Sequence, residues 1–74
     1  MLTSYITRDP KILGGKPVIT NTRISVELIM RKFANGYTME ELLKNYPHLK
    51  KEQIQACFEY SANVLANEEF FEIV

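Results

Sequence analysis

The sequence predicts a mainly α fold in which three helices follow short N-terminal β-strands and a hairpin. Three observations predict it. Turn formers and β-branched residues crowd the stretch from Ile12 to Ile24, apolar residues recur at helical spacing from Val26 onward, and capping and stop signals divide that helical part into three. The 74 residues suffice for one domain: a strand-and-hairpin arm over 1–24, a three-helix unit over 25–67 and an acidic apolar tail over 68–74.

Tyr5 to Arg8 is a short β-prone run that Asp9-Pro10 ends, because Asp favours a turn start and Pro offers no amide donor. Gly14-Gly15 permits positive φ. Lys16-Pro17-Val18-Ile19 then reads as an edge strand, where a sheet tolerates Pro. Thr20-Asn21 separates it from Thr22-Arg23-Ile24, and Asn tolerates the left-handed region, so a tight hairpin is expected there.

Ser25 is a good N-cap, with Glu27 near the positive end of the helix dipole. Val26, Ile29, Met30, Phe33 and Ala34 then form one apolar stripe, which Asn35-Gly36 terminates. Thr38-Met-Glu-Glu41 has the spacing of a capping box and starts a second helix, with Met39, Leu42, Leu43 and Tyr46 on one face. Pro47 stops it near Asn45. Beyond the link Tyr46-Pro-His-Leu49 comes the longest helix, expected to turn Ile54, Cys57, Phe58, Ser61, Ala62 and Leu65 inward.

A domain this short buries only about 60% of the surface its unfolded chain exposes, and such chains usually add a disulfide, a metal or a partner subunit. One cysteine, Cys57, excludes an internal disulfide, and His48 has no cysteine at ligand spacing. A homodimer is therefore expected. No basic start precedes an apolar run, and no stretch approaches about 18 consecutive apolar residues, so the expected location is cytoplasmic, without a membrane span.

The net charge of zero conceals a split. Residues 1–51 carry all nine Lys and Arg against four acids, a net +5, whereas residues 52–74 carry five Glu and no base. Such halves suit one anionic and one cationic partner, although charge segregated over solvated faces gives the same totals.

Catalytic chemistry finds little support. Glu40 and Glu41 point about 100° apart on a helix, too divergent to share a proton. Cys57 lies among apolar neighbours, and His48 stands alone in a turn. Gly14-Gly15-Lys16 feeds Pro17 and a strand rather than a helix N-terminus, so it is poorly built as a phosphate cradle. The expectation is a protein that is not an enzyme and takes no cofactor and no small-molecule substrate.

Recognition of macromolecules fits better. The second and third helices match the spacing of a helix-turn-helix, which places Lys50, Lys51, Gln53 and Gln55 at the start of the reading helix. Lysines would neutralise phosphates and glutamine can pair with adenine, but Glu52 beside them would repel phosphate. Lys16 and Arg23 add cations in the hairpin, as contacts to nucleic-acid backbone or to carboxylates. In the tail, Glu68 and Glu69 precede Phe70, Phe71 and Ile73, apolar groups that need cover from the core, a twin subunit or another protein.

These runs together resemble a family. Ile6-Thr-Arg-Asp-Pro-Lys-Ile-Leu-Gly-Gly-Lys-Pro-Val-Ile, Thr22-Arg-Ile, Gly36-Tyr-Thr-Met-Glu-Glu-Leu-Leu, Tyr46-Pro-His-Leu and Ile54-Gln-Ala closely resemble the bacterial domain of unknown function 433, over about Tyr5 to Asn67. The resemblance implies a homeodomain-like helix-turn-helix preceded by short strands, dimeric assembly, and kinship with VapB-like antitoxins, often paired with a PIN-like toxin. Such antitoxins cover the toxin and, as a complex, repress their own operator DNA. The chain departs from the family pattern at Asn21 in place of glycine, Ser25 in place of proline, and Lys50 in place of a capping Thr or Ser. A dimeric protein-interaction module that touches no nucleic acid is the competing expectation.

Overall fold

Residues 5–67 are described by a computed structural model. The β-prone run forms β1 (Ile6–Arg8), which pairs antiparallel with β2 (Pro17–Ile19) in the register Ile6 to Ile19, Thr7 to Val18 and Arg8 to Pro17. Between them the chain reverses tightly. Asp9 Oδ1 accepts from the Lys11 amide at 2.9 Å, and a single 3-10 turn follows at Leu13–Gly15, with Leu13, Gly14 and Gly15 at φ 50°, 66° and 87°.

The hairpin expected across Thr20-Asn21 is only a turn. The Ile19 amide donates to the Ile24 carbonyl at 2.9 Å and Val18 bridges to Ser25, while the ladder proper runs to β1. In this two-stranded sheet β2 is an edge strand, as expected, with a single bridge on its far side. Pro17 is tolerated there because it is the strand's first residue, where its missing donor costs no interior ladder bond.

Three helices follow. In α1 (Val26–Ala34), Ser25 Oγ accepts from the Leu28 amide at 2.9 Å, and the helix closes at Asn35 before Gly36 at φ 95°. In α2 (Met39–Asn45), the Glu41 amide donates to Thr38 Oγ1 at 3.1 Å while the Thr38 amide donates to Glu41 Oε1 at 2.8 Å. Both orphan donors are met, as a capping box requires. The last helix, α3 (Lys51–Ala66), starts differently: Lys50 has no side-chain acceptor, and only the reverse bond forms, from the Lys50 amide to Gln53 Oε1 at 2.6 Å.

The core gathers Ile6 and Ile19 of the sheet, Val26 and Ile29 of α1, Leu42 of α2, Leu49 of the link, and Ile54, Ala56 and Cys57 of α3. Among the described residues no polar or charged side chain is buried. The facing of α3 meets expectation at Ile54 and Cys57 and departs from it elsewhere. Ala56 is buried whereas Phe58 is 37% and Leu65 64% exposed, so the inner stripe runs through Gln53, Ile54, Cys57 and Tyr60. Small Ala56 and Cys57 admit the closer approach of the core, and Phe58 packs at its margin on Phe33, ring centroids 4.7 Å apart. No helix among the described residues is long and apolar enough to cross a membrane.

Candidate functional site

The entry to α3 presents Lys50, Lys51 and Glu52 as exposed side chains, with Gln55 exposed about one turn further on. Gln53 is different. It is half-buried, and its carbonyl oxygen is engaged by the Lys50 amide, so its first task is to cap the helix that Lys50 cannot cap with its own side chain. Gln55 is exposed.

The two hairpin cations separate. Lys16 Nζ lies 3.1 Å from Glu27 Oε1 on α1, and Glu27 Oε2 also meets Arg31 at 3.0 Å. Hydrogen bonds from Lys16 and then Arg31, with their positive charges, hold the Glu27 carboxyl below its ordinary range. Lys16 is thereby tied to its own fold. Arg23, exposed in the turn after β2, instead lines an open groove of about 790 Å³ that also takes in His48 of the link.

This groove joins three segments far apart in sequence. Ile12 comes from the β1–β2 loop, Ile24 from the turn after β2, and Tyr46 from the α2–α3 link, all half-buried. Its threonines are already satisfied: the Thr7 and Thr20 hydroxyls bond each other at 2.7 Å, and the Thr22 hydroxyl donates to the Ile19 carbonyl at 2.7 Å while accepting from the Ile24 amide at 3.0 Å. What remains for a ligand is apolar surface with the exposed polar side chains Asn21, Arg23 and His48 beside it. Local sequence carried no signal for this groove, because no two of its three walls are neighbours in the chain.

Cys57 is fully buried and burial pushes its thiol up to about 11, so it is a neutral packing group. Among the described residues no three His, Cys, Asp or Glu side chains gather to hold a metal ion. The expected contact residues Glu68, Glu69, Phe70, Phe71 and Ile73 lie outside the described residues.

Comparison with known proteins agrees with this geometry. An uncharacterized protein of Sinorhizobium fredii, y4eO, is 36% identical over 56 residues, which are 76% of this chain and 25% of that protein. The crystal structure of a DUF433 member from Anabaena variabilis is similar with a TM-score of 0.79 and 36% identity, over 85% of this chain and 62% of that one. The chain thus spans about a quarter of the curated relative and under two thirds of the crystallised one. With residues 6–61 matching the family described as protein of unknown function (DUF433), this chain belongs to that family.

Proposed function

We propose that the protein is an antitoxin-like, non-enzymatic DNA-binding protein, in which α2, the link and α3 act as a homeodomain-like helix-turn-helix. Working in the cytoplasm as a homodimer, it neutralises a PIN-like toxin through the acidic apolar residues 68–74 and represses its own operon. The observation that supports this most directly is the exposed cluster Lys50, Lys51 and Gln55 at the entry to α3, the end such a motif brings to base edges. Lys50 and Lys51 would neutralise phosphates and Gln55 would read an adenine edge.

Binding of the protein, alone or with the neighbouring gene product, to its own upstream DNA tests the reading. Affinity should fall steeply with salt, and changing Lys50, Lys51 and Gln55 together to Ala should lower both the affinity and the salt slope, by roughly one unit per lysine. A flat salt response, or no binding with or without a toxin, would sink it.

One observation favours a second reading, a dimeric interaction module that binds no nucleic acid. Glu52 is exposed in the same helical turn as the lysines, and Gln53 is occupied as a cap. An adjoining nuclease-like gene whose product co-purifies with this protein would favour the antitoxin over that module.

A further inference from the structure

We infer that, while no toxin is bound, the groove lined by Arg23, Ile24 and Tyr46 is the seat for residues 68–74 of a second copy of this chain. Its chemistry selects a segment that is at once apolar and acidic. The half-buried Ile12, Ile24 and Tyr46 offer apolar surface, the threonine hydroxyls are engaged within the fold, and Arg23 stands exposed beside them as the groove's permanent positive charge, with Asn21 and His48 also exposed. Asp9, the acid lining the groove, has Oδ1 engaged by the Lys11 amide.

The complement is written in the chain itself. Glu68-Glu-Phe-Phe-Glu-Ile-Val74 holds three acids, two aromatic rings and two aliphatic side chains, with no base. A groove of about 790 Å³ has room for both phenylalanine rings, and Tyr46 supplies an aromatic wall for them. The carboxylates then fall within reach of Arg23, whose fork suits them.

Length decides which copy supplies the segment. The link Tyr46–His48 immediately precedes α3, and the 16 residues of α3 carry the chain about 24 Å away from it. Phe71 stands four residues beyond Asn67, a reach of at most about 14 Å for extended backbone. Reaching the groove of its own copy would demand nearly full extension of the backbone after Asn67, whereas the groove of a second copy demands none. A twofold pair solves this, because each copy gives one segment and receives one at the same interface.

Sedimentation equilibrium of the full chain, without DNA or toxin, tests this independently of the proposed function. The protein should be a dimer at micromolar concentration. Dissociation constants should rise about tenfold with Arg23→Glu, about tenfold with Glu68, Glu69 and Glu72 all changed to Lys, and about a hundredfold with Phe70→Ser plus Phe71→Ser. Far-ultraviolet circular dichroism of the variants should match that of the wild type, which separates loss of the interface from loss of the fold. Mixing the Arg23→Glu protein with the triple-Lys protein is the sharper arm. In the mixed dimer both seats are complementary, one Arg with acids and one Glu with lysines, so wild-type affinity should return. A monomeric wild-type chain, which would free the groove for a different protein, overturns the inference. So does a wild-type dissociation constant for the tail variants, or a mixture no tighter than its components.

Discussion

At the residue scale, backbone geometry accounts for the residue at the tip of the turn after β2. Asn21 adopts φ 66°, the left-handed region in which asparagine is the tolerated non-glycine residue. Asn21→Val should therefore destabilise the protein by about 1–2 kcal/mol while Asn21→Gly stays within about 0.5 kcal/mol, measured by urea unfolding. Equal effects would show that the turn does not enforce the angle. Cys57 makes a different residue-scale point, about pH. Its folded pKa is raised above the unfolded value, so its contribution is fully present below the range near 8.5 where an unfolded thiol titrates, and is lost as pH rises toward about 11. Replacing Cys57 by Ala should flatten the alkaline decline of the unfolding free energy, and an unaltered decline would assign it to other groups.

At the element scale, the helix boundaries were legible because caps are local. Ser25, the Thr38–Glu41 pair, Gly36 and Pro47 each act within a few residues, and each stands at the boundary it marked. The facing of α3 was legible only in part. Ile54 and Cys57 are buried as expected, but hydrophobicity alone also favours Phe58 and Leu65, whereas the core takes small Ala56 in their place. The pairing of β1 with β2 was not legible, since the intervening loop of left-handed residues is invisible to strand propensity. The capping bonds make the sharpest element-scale prediction. Thr38→Ala should cost about 1 kcal/mol of stability. Gln53→Ala should likewise weaken the start of α3, yet leave any DNA affinity of the folded protein unchanged, whereas Gln55→Ala should do the reverse. A Gln53→Ala protein that keeps full stability but loses DNA binding would return Gln53 to the reading surface. The arm is pinned to α1 in the same local fashion, through Lys16, Glu27 and Arg31. Because Glu27's folded pKa is depressed, its contribution is present above the ordinary carboxylate range and lost as pH falls through the lowered value. The stability gap between wild type and Glu27→Gln should accordingly close in acid, and a constant gap would mean that charge is not its cause.

At the scale of the whole molecule, the core is small enough that single side chains matter to folding as a whole. Stabilities of about 0.05–0.15 kcal/mol per residue place a chain of this length near 4–11 kcal/mol. Ile54 is fully buried where α3 meets the other elements, and truncating such a residue costs about 2–5 kcal/mol. Ile54→Ala should therefore lower the melting temperature by roughly ten degrees or more, since each kcal/mol moves a domain of this size by about 4–8 °C. The same measurement reads out assembly. If folding is coupled to exchange of the 68–74 segment, the melting temperature of both wild type and Ile54→Ala should climb with protein concentration, because association stabilises only the folded chain. The Phe70→Ser plus Phe71→Ser protein should lose that dependence while keeping the dilute-limit melting temperature of the wild type. A concentration-independent melting temperature in the wild type would mean that the core of a single copy carries folding unaided.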